Sequence, residues 1–157
     1  MEILLLKSPQ GHLIPATEAE FEKCRKFKVG AVIRCEVSQM RNYEFFKKWW
    51  ALAQLAFDTW TELMPEREYK GVRVQPSFAR FRRDLTIMAG YFKPVFAANG
   101  EVRLEADSIS FAKMDEETFE KLYSATISAV LDKILANRGY TDASLRALVE
   151  QVMRFDG

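Results

Sequence analysis

Arg80, Arg82 and Arg83 interleave with Phe78 and Phe81. Upstream, Lys47 and Lys48 stand among Tyr43, Phe45, Phe46, Trp49 and Trp50. Cations mixed with rings suit single-stranded nucleic acid. The cations neutralise phosphates and release counterions, and the rings stack on bases without reading their sequence. On this reading Arg41, Lys47, Lys48, Arg80, Arg82, Arg83 and Lys93 contact phosphates. One exposed ring, Trp49 or Tyr43, stacks on bases or wedges between them. A plainer reading stands beside it. Charge runs are usually solvated faces, and rings at helical spacing are usually core. Phe46, Trp50, Phe57 and Trp60 have that spacing, and Asp84 can pair with the arginines.

Other chemistries find little support. His12 is the only histidine, so a histidine-based zinc site lacks ligands, and Cys24 and Cys35 are not in CxxC spacing. No GxSxG elbow and no GxxxxGK[ST] or GxGxxG loop occurs. Glu101, Glu105 and Asp107 could converge on Mg²⁺, but the Asp followed by Glu-x-Lys pattern of nucleases is absent. What remains is a binding protein with no metal site, or a carboxylate-metal enzyme with a weak signature. Without a secretory signal, the two cysteines are expected as free thiols in a reducing compartment.

The 157 residues carry 23 Lys and Arg against 22 Asp and Glu, so overall charge says nothing about partners. Its distribution does. Residues 23–48 hold eight basic against two acidic side chains, and residues 67–83 hold six against one. Residues 101–120 hold two basic against seven acidic side chains. The basic half concentrates phosphate, or it docks on the acidic half of a second subunit. No apolar run is long enough to span a bilayer.

These residues need elements to position them. Glu2 to Lys7 suits a strand, and Thr17 and Glu20 form a capping box for a short helix ending before Gly30. Ala31 to Ser38 alternates as a half-buried strand. Tyr43 to Leu63 reads as the strongest helix, apolar nearly all round over Trp49–Phe57, hence central or shared with a partner subunit. Pro65 to Pro76 reads as a mobile polar connector. Ser77 caps a helix from Phe78 to about Ala89. A hairpin turns at Asn99-Gly100, with Pro94 at an edge or bulge. Ser108 to Lys113 reads as a further strand. Asp115 caps a helix to about Asn137, and Thr141 opens a last one to about Arg154. The fold class is α+β: short strands with one β-hairpin and about five helices, in a single compact domain over 1–157.

Leu13-Ile14-Pro15-Ala16-Thr17, Lys28-Val29-Gly30, Arg41-Asn42 and Phe45 to Leu52 resemble a bacteriophage and prophage family of unknown function. So do Phe81 to Tyr91, Gly100 to Arg103, Ser108 to Asp115 and Phe119 to Tyr123, which extends the resemblance over nearly the whole chain. The family resembles genes of the recombination (nin) region of lambdoid phages, and one prophage member is described as a DNA base-flipping protein. Arg41-Asn42 and Lys48-Trp49-Trp50-Ala51 are also similar to part of the pattern of the phage lambda Orf (NinB) recombination mediator. The spacing differs and the Gln-Asn pair of that pattern is missing. The resemblance implies a homodimer in the bacterial cytoplasm that binds DNA, single strands favoured. It implies action beside single-strand-binding protein or a recombinase, with no cofactor and no catalysis; the short apolar runs leave no membrane partner expected. The alternatives are an adaptor onto a host replication or repair protein, using the helix around Trp49 to Phe57, and a nuclease using Glu101, Glu105 and Asp107.

Overall fold

A helix that is apolar nearly all round must be covered on most sides, and α2 (Tyr43–Leu63) is. In the computed structural model, which describes residues 1–37 and 42–155, the other helices of residues 42–155 pack around it. Their order is α3 (Phe78–Met88), α4 (Glu116–Ala129) and α5 (Asp142–Phe155). Trp49, Leu52, Ala53 and Ala56 are buried along α2. They meet Phe81 and Leu85 of α3, Phe119, Leu122, Tyr123 and Ile127 of α4, and Leu145 and Val149 of α5.

The helix boundaries follow local chemistry. Ser77 Oγ accepts from the Arg80 N–H at 3.3 Å, and Asp115 Oδ1 accepts from the Thr118 N–H at 2.7 Å. Thr141 and Ser144 exchange side-chain-to-backbone bonds at the start of α5. Asn42 caps α2 differently. Its backbone is left-handed (φ 58°), and its amide donates to the Met114 carbonyl at 2.7 Å. The start of α2 is thereby tied to the turn before α4. The α4 helix runs on into a π-helical turn, Val130–Ile134, closed by Leu135 N–H donating to the Val130 carbonyl.

The fold is α+β, with five α-helices and three two-stranded antiparallel sheets among the described residues. The expected hairpin at Asn99-Gly100 is present as β5 (Phe92–Phe96) and β6 (Val102–Ala106), with Pro94 opposite Leu104. Its loop is longer than two residues: Gly100 N–H donates to Ala97 O, and Ala97 N–H to Glu101 O. Gly100 takes the positive φ (84°) that this turn requires. The connector read as irregular contains a small hairpin, β3 (Glu68–Tyr69) and β4 (Val72–Arg73), turning on Lys70 and Gly71, both at positive φ. Ser108 to Lys113 is not a strand; it ends in a 3₁₀ turn, Phe111–Lys113, that buries Phe111 against the core.

The chain divides into two compact units, Met1–Ser38 and Gln39–Gly157, although no linker-like composition marks the division. In the first, β1 (Leu5–Lys7) pairs with β2 (Leu13–Pro15), followed by α1 (Glu18–Cys24). Thr17 caps α1 as expected, accepting from the Glu20 N–H at 3.4 Å. Glu20 does not complete the box. Its carboxylate accepts from the Leu4 N–H at 3.0 Å and pairs with Lys23 at 2.8 Å, tying the helix to the chain entering β1. Residues 31–37 form no strand; among the described residues no other strand pairs with them.

Trp49 is the largest fully buried side chain. Its Nε1–H donates to Thr126 Oγ1 at 3.0 Å, and that hydroxyl donates to the Leu122 carbonyl at 2.8 Å. Trp49→Ala should therefore lower stability by about 3–5 kcal/mol, read from the urea unfolding midpoint. Trp49→Phe and Thr126→Val should be non-additive, because each removes one partner of the same buried bond. A second test concerns acid. The Thr118 backbone N–H, and then its side chain, hold the Asp115 carboxyl below its ordinary value of 3.8. The stabilisation it adds is present above that value and is lost as pH falls through the lower, folded value. Asp115→Ala should thus be less stable than the parent at pH 7, with the gap closing towards pH 2 in urea melts.

Candidate nucleic-acid interface

On α3, Phe78, Phe81 and Leu85 share the face turned to the core, so the residues between them are set by the helical period. Arg80 and Arg83 fall three apart on the outer side. Both are exposed, and the Arg80 side chain retains 76% of its accessibility. Arg80 Nε lies 3.3 Å from Asp84, one turn on, while Arg83 has no ion pair among the described residues. An exposed pair of this kind holds a cation weakly and leaves it available to phosphate.

Arg82 is different. It falls next to the core face, and its guanidinium lies 4.6 Å from the Trp50 ring centroid. Its Nε is buried without a hydrogen-bond partner. Trp50 is itself held by Phe46 at 4.8 Å and Phe78 at 5.5 Å. Arg82 thus joins the two aromatic-basic segments and has only its outer nitrogens to offer.

The remaining residues separate. Lys47 lies 3.9 Å from Glu44 and 5.6 Å from the Tyr43 ring centroid. Lys48 lies 3.2 Å from Glu150 of α5 and 4.8 Å from the Tyr123 ring centroid. Lys93, on β5, faces Glu105 of β6 at 4.0 Å. Arg41 lies outside the described residues. Trp49 does not offer a stacking surface; it is 1% exposed. Trp49 and Trp50 adjoin, and the apolar period read from the sequence centres the buried face on Trp50. The core instead centres on Trp49, Leu52, Ala53 and Ala56, which leaves Phe46, Trp50, Phe57 and Trp60 as a half-buried belt. Tyr43 is half-buried and stacks on Phe46 at 6.1 Å.

Other rings than the sequence candidates face solvent. On the β5–β6 hairpin, Phe92, Pro94 and Phe96 share one face with Leu104 and Val102. Phe96 is 83% exposed, and Phe92, Val102 and Leu104 are also open. The period-two pattern was visible in the sequence, but such a pattern ordinarily marks a covered face. The other hairpin face carries Lys93, Arg103 and Glu105, and β6 packs beside α3. Glu101, Glu105 and Asp107 are not gathered into a ligand set; among the described residues no three His, Cys, Asp or Glu side chains converge. Both cysteines are free. No described helix is long and apolar enough to cross a membrane.

Behind Lys48 lies a second charged assembly. Lys48 and Arg146 both rest on the Tyr123 ring, Arg146 at 5.1 Å from its centroid. Arg146 bonds Asp142 at 2.7 Å and Glu120 at 2.8 Å. Burial works against its charge, yet these carboxylates outweigh that and hold its pKa above the usual arginine value. The Tyr123 hydroxyl is buried without a partner. Burial pushes the phenol well above its ordinary value of 10, against a smaller pull from Arg146.

The sequence matches a family described as "Protein of unknown function (DUF1367)" over residues 1–66 and 61–155. No curated protein and no solved structure matches the chain.

Tyr123 supplies a test of this packing. Above pH 10 the unfolded phenol ionises while the buried one keeps its proton, so the unfolded state binds fewer protons and stability falls as pH rises. Tyr123→Phe should match the parent at pH 7 to within about 1 kcal/mol. It should lose less stability between pH 9 and 11, measured by urea titration across that range.

Proposed function

The chain belongs to the DUF1367 family, whose description assigns no activity, and we propose that it is a non-catalytic DNA-binding accessory of recombination, of phage or prophage origin. The observation carrying this reading is the outer face of α3. Arg80 and Arg83 stand side by side, exposed, with one weak ion pair between them and the acidic residues around them. Arg82, stacked on Trp50, adds a cation whose position is fixed by packing. Lys93 adds a cation on the neighbouring hairpin, on the face opposite Phe96. Phe96 takes the stacking or wedging role first assigned to Trp49. Solvated cations together with an open ring favour single-stranded or distorted DNA over an intact duplex. The protein acts as a homodimer in the bacterial cytoplasm, beside single-strand-binding protein or a recombinase. It needs no cofactor.

A second reading, an adaptor onto a host replication or repair protein, has lost its original surface, since α2 is buried in this protein's own core. The apolar face of the β5–β6 hairpin replaces it: Phe92, Phe96, Val102 and Leu104 form an open patch of the kind that marks contact sites.

Fluorescence anisotropy with labelled single-stranded and duplex oligonucleotides at two salt concentrations separates the two. Single strands should bind more tightly, with affinity falling as salt rises. Arg80→Ala with Arg83→Ala should reduce the slope of log affinity against log salt by about 1.4, from about 0.7 per lost phosphate contact. Phe96→Ala should weaken binding without changing that slope. No binding at low salt would sink the DNA reading and leave the adaptor.

A further inference from the structure

Residues 31–37 carry a strand pattern that the fold leaves unused. Ala31, Ile33, Cys35 and Val37 alternate with Val32, Arg34 and Glu36. Among the described residues, no backbone group of 32–37 enters a hydrogen bond. Among the described residues neither Arg34 nor Glu36 forms an ion pair, and Ile33 and Val37 are 46% and 66% exposed. An unpaired segment of this composition is a template for another strand.

The unit that contains it lacks a core. Within Met1–Ser38 the only buried residue among those described is Glu20, and no apolar side chain reaches burial. Units below about 40 residues rarely hold together without a disulfide, a metal or association. Both cysteines are free, and no metal-ligand cluster is present among the described residues.

We propose that residues 33–37 pair antiparallel with the same residues of a second copy, about a two-fold axis passing at Cys35. In that register Ile33 faces Val37 of the second copy, Cys35 faces Cys35, and Arg34 faces Glu36. The interface is isologous, so each contact occurs twice. One face is apolar throughout, and the other carries two Arg–Glu cross-strand pairs. Shifting the pairing by one residue sets charged side chains against apolar ones. Moving the axis to Arg34 or to Glu36 sets like charges opposite each other. The Cys35 register is thus selected by the charge order of the segment itself. This names the interface of the homodimer in the reading above. DNA binding can fail without affecting it, because its test reads association alone.

The test is sedimentation equilibrium of the full chain without DNA. The parent should dimerise. Arg34→Glu and Glu36→Arg should each weaken the dimer roughly tenfold, since two cross-strand pairs become repulsive, each worth about 0.2–1 kcal/mol either way. The double exchange, Arg34→Glu with Glu36→Arg, should restore it, which a folding defect would not do. In a Cys24→Ser background, oxidation with diamide should give a disulfide-linked dimer through Cys35, because opposite residues lie within disulfide reach. With the thiol moved instead to position 37 (Cys24→Ser, Cys35→Ser, Val37→Cys), little should form. A monomer at all concentrations, a dimer indifferent to the charge variants, or weakening that the double exchange does not reverse overturns the proposal.

Discussion

The bond from the Trp49 indole to Thr126 organises the structure of residues 42–155. A tryptophan can be fully buried only if its N–H finds an acceptor. Thr126 supplies one while passing its own proton to the Leu122 carbonyl, so neither polar group is stranded. The contact fixes α2 against α4 in rotation as well as distance. Once that rotation is set, Phe46, Trp50, Phe57 and Trp60 must lie to the sides, where Phe78, Phe81 and Phe111 receive them. The position of α3, and with it the direction in which Arg80 and Arg83 point, follows from this aromatic belt.

The same packing sorts the charges. Along the chain, basic and acidic segments look like opposed halves. In three dimensions much of that contrast is cancelled locally, Lys48 by Glu150 and Arg146 by Asp142 and Glu120. Two of these cations lie on the Tyr123 ring, so they close the core's edge as much as they charge the surface. Arg80 and Arg83 are among the cations that remain open to solvent. The composition of a segment is therefore a poor measure of its field.

Local signals were legible where the residues that make a structure lie close in sequence. The limits of α2 match its apolar run from Tyr43 to Leu63, and the caps at Thr17, Ser77, Asp115 and Thr141 all appear, because a cap needs only three or four neighbouring residues. The hairpin at Asn99-Gly100 was equally visible. Two strand assignments failed. At Ser108–Lys113 the demand to bury Phe111 overrides β propensity, and at residues 31–37 no partner strand exists among the described residues, Ser38 lying outside them. Alternation reports what a segment can do, not whether a neighbour is there to receive it.

The sequence by itself determined the α+β class, the limits of α2, α3 and α5, the free thiols and the short list of cations and rings. It also determined the order Ile-Arg-Cys-Glu-Val at residues 33–37, whose symmetry any pairing of that segment must respect. Only the tertiary structure decided which of two adjacent tryptophans is core, that Arg82 is stacked while Arg83 is free among the described residues, and that the β5–β6 hairpin carries exposed rings, Phe92 and Phe96. The physical reason is one of scale. Helix period and capping act within a turn or two, whereas the choice between Trp49 and Trp50 depends on a hydroxyl 77 residues away.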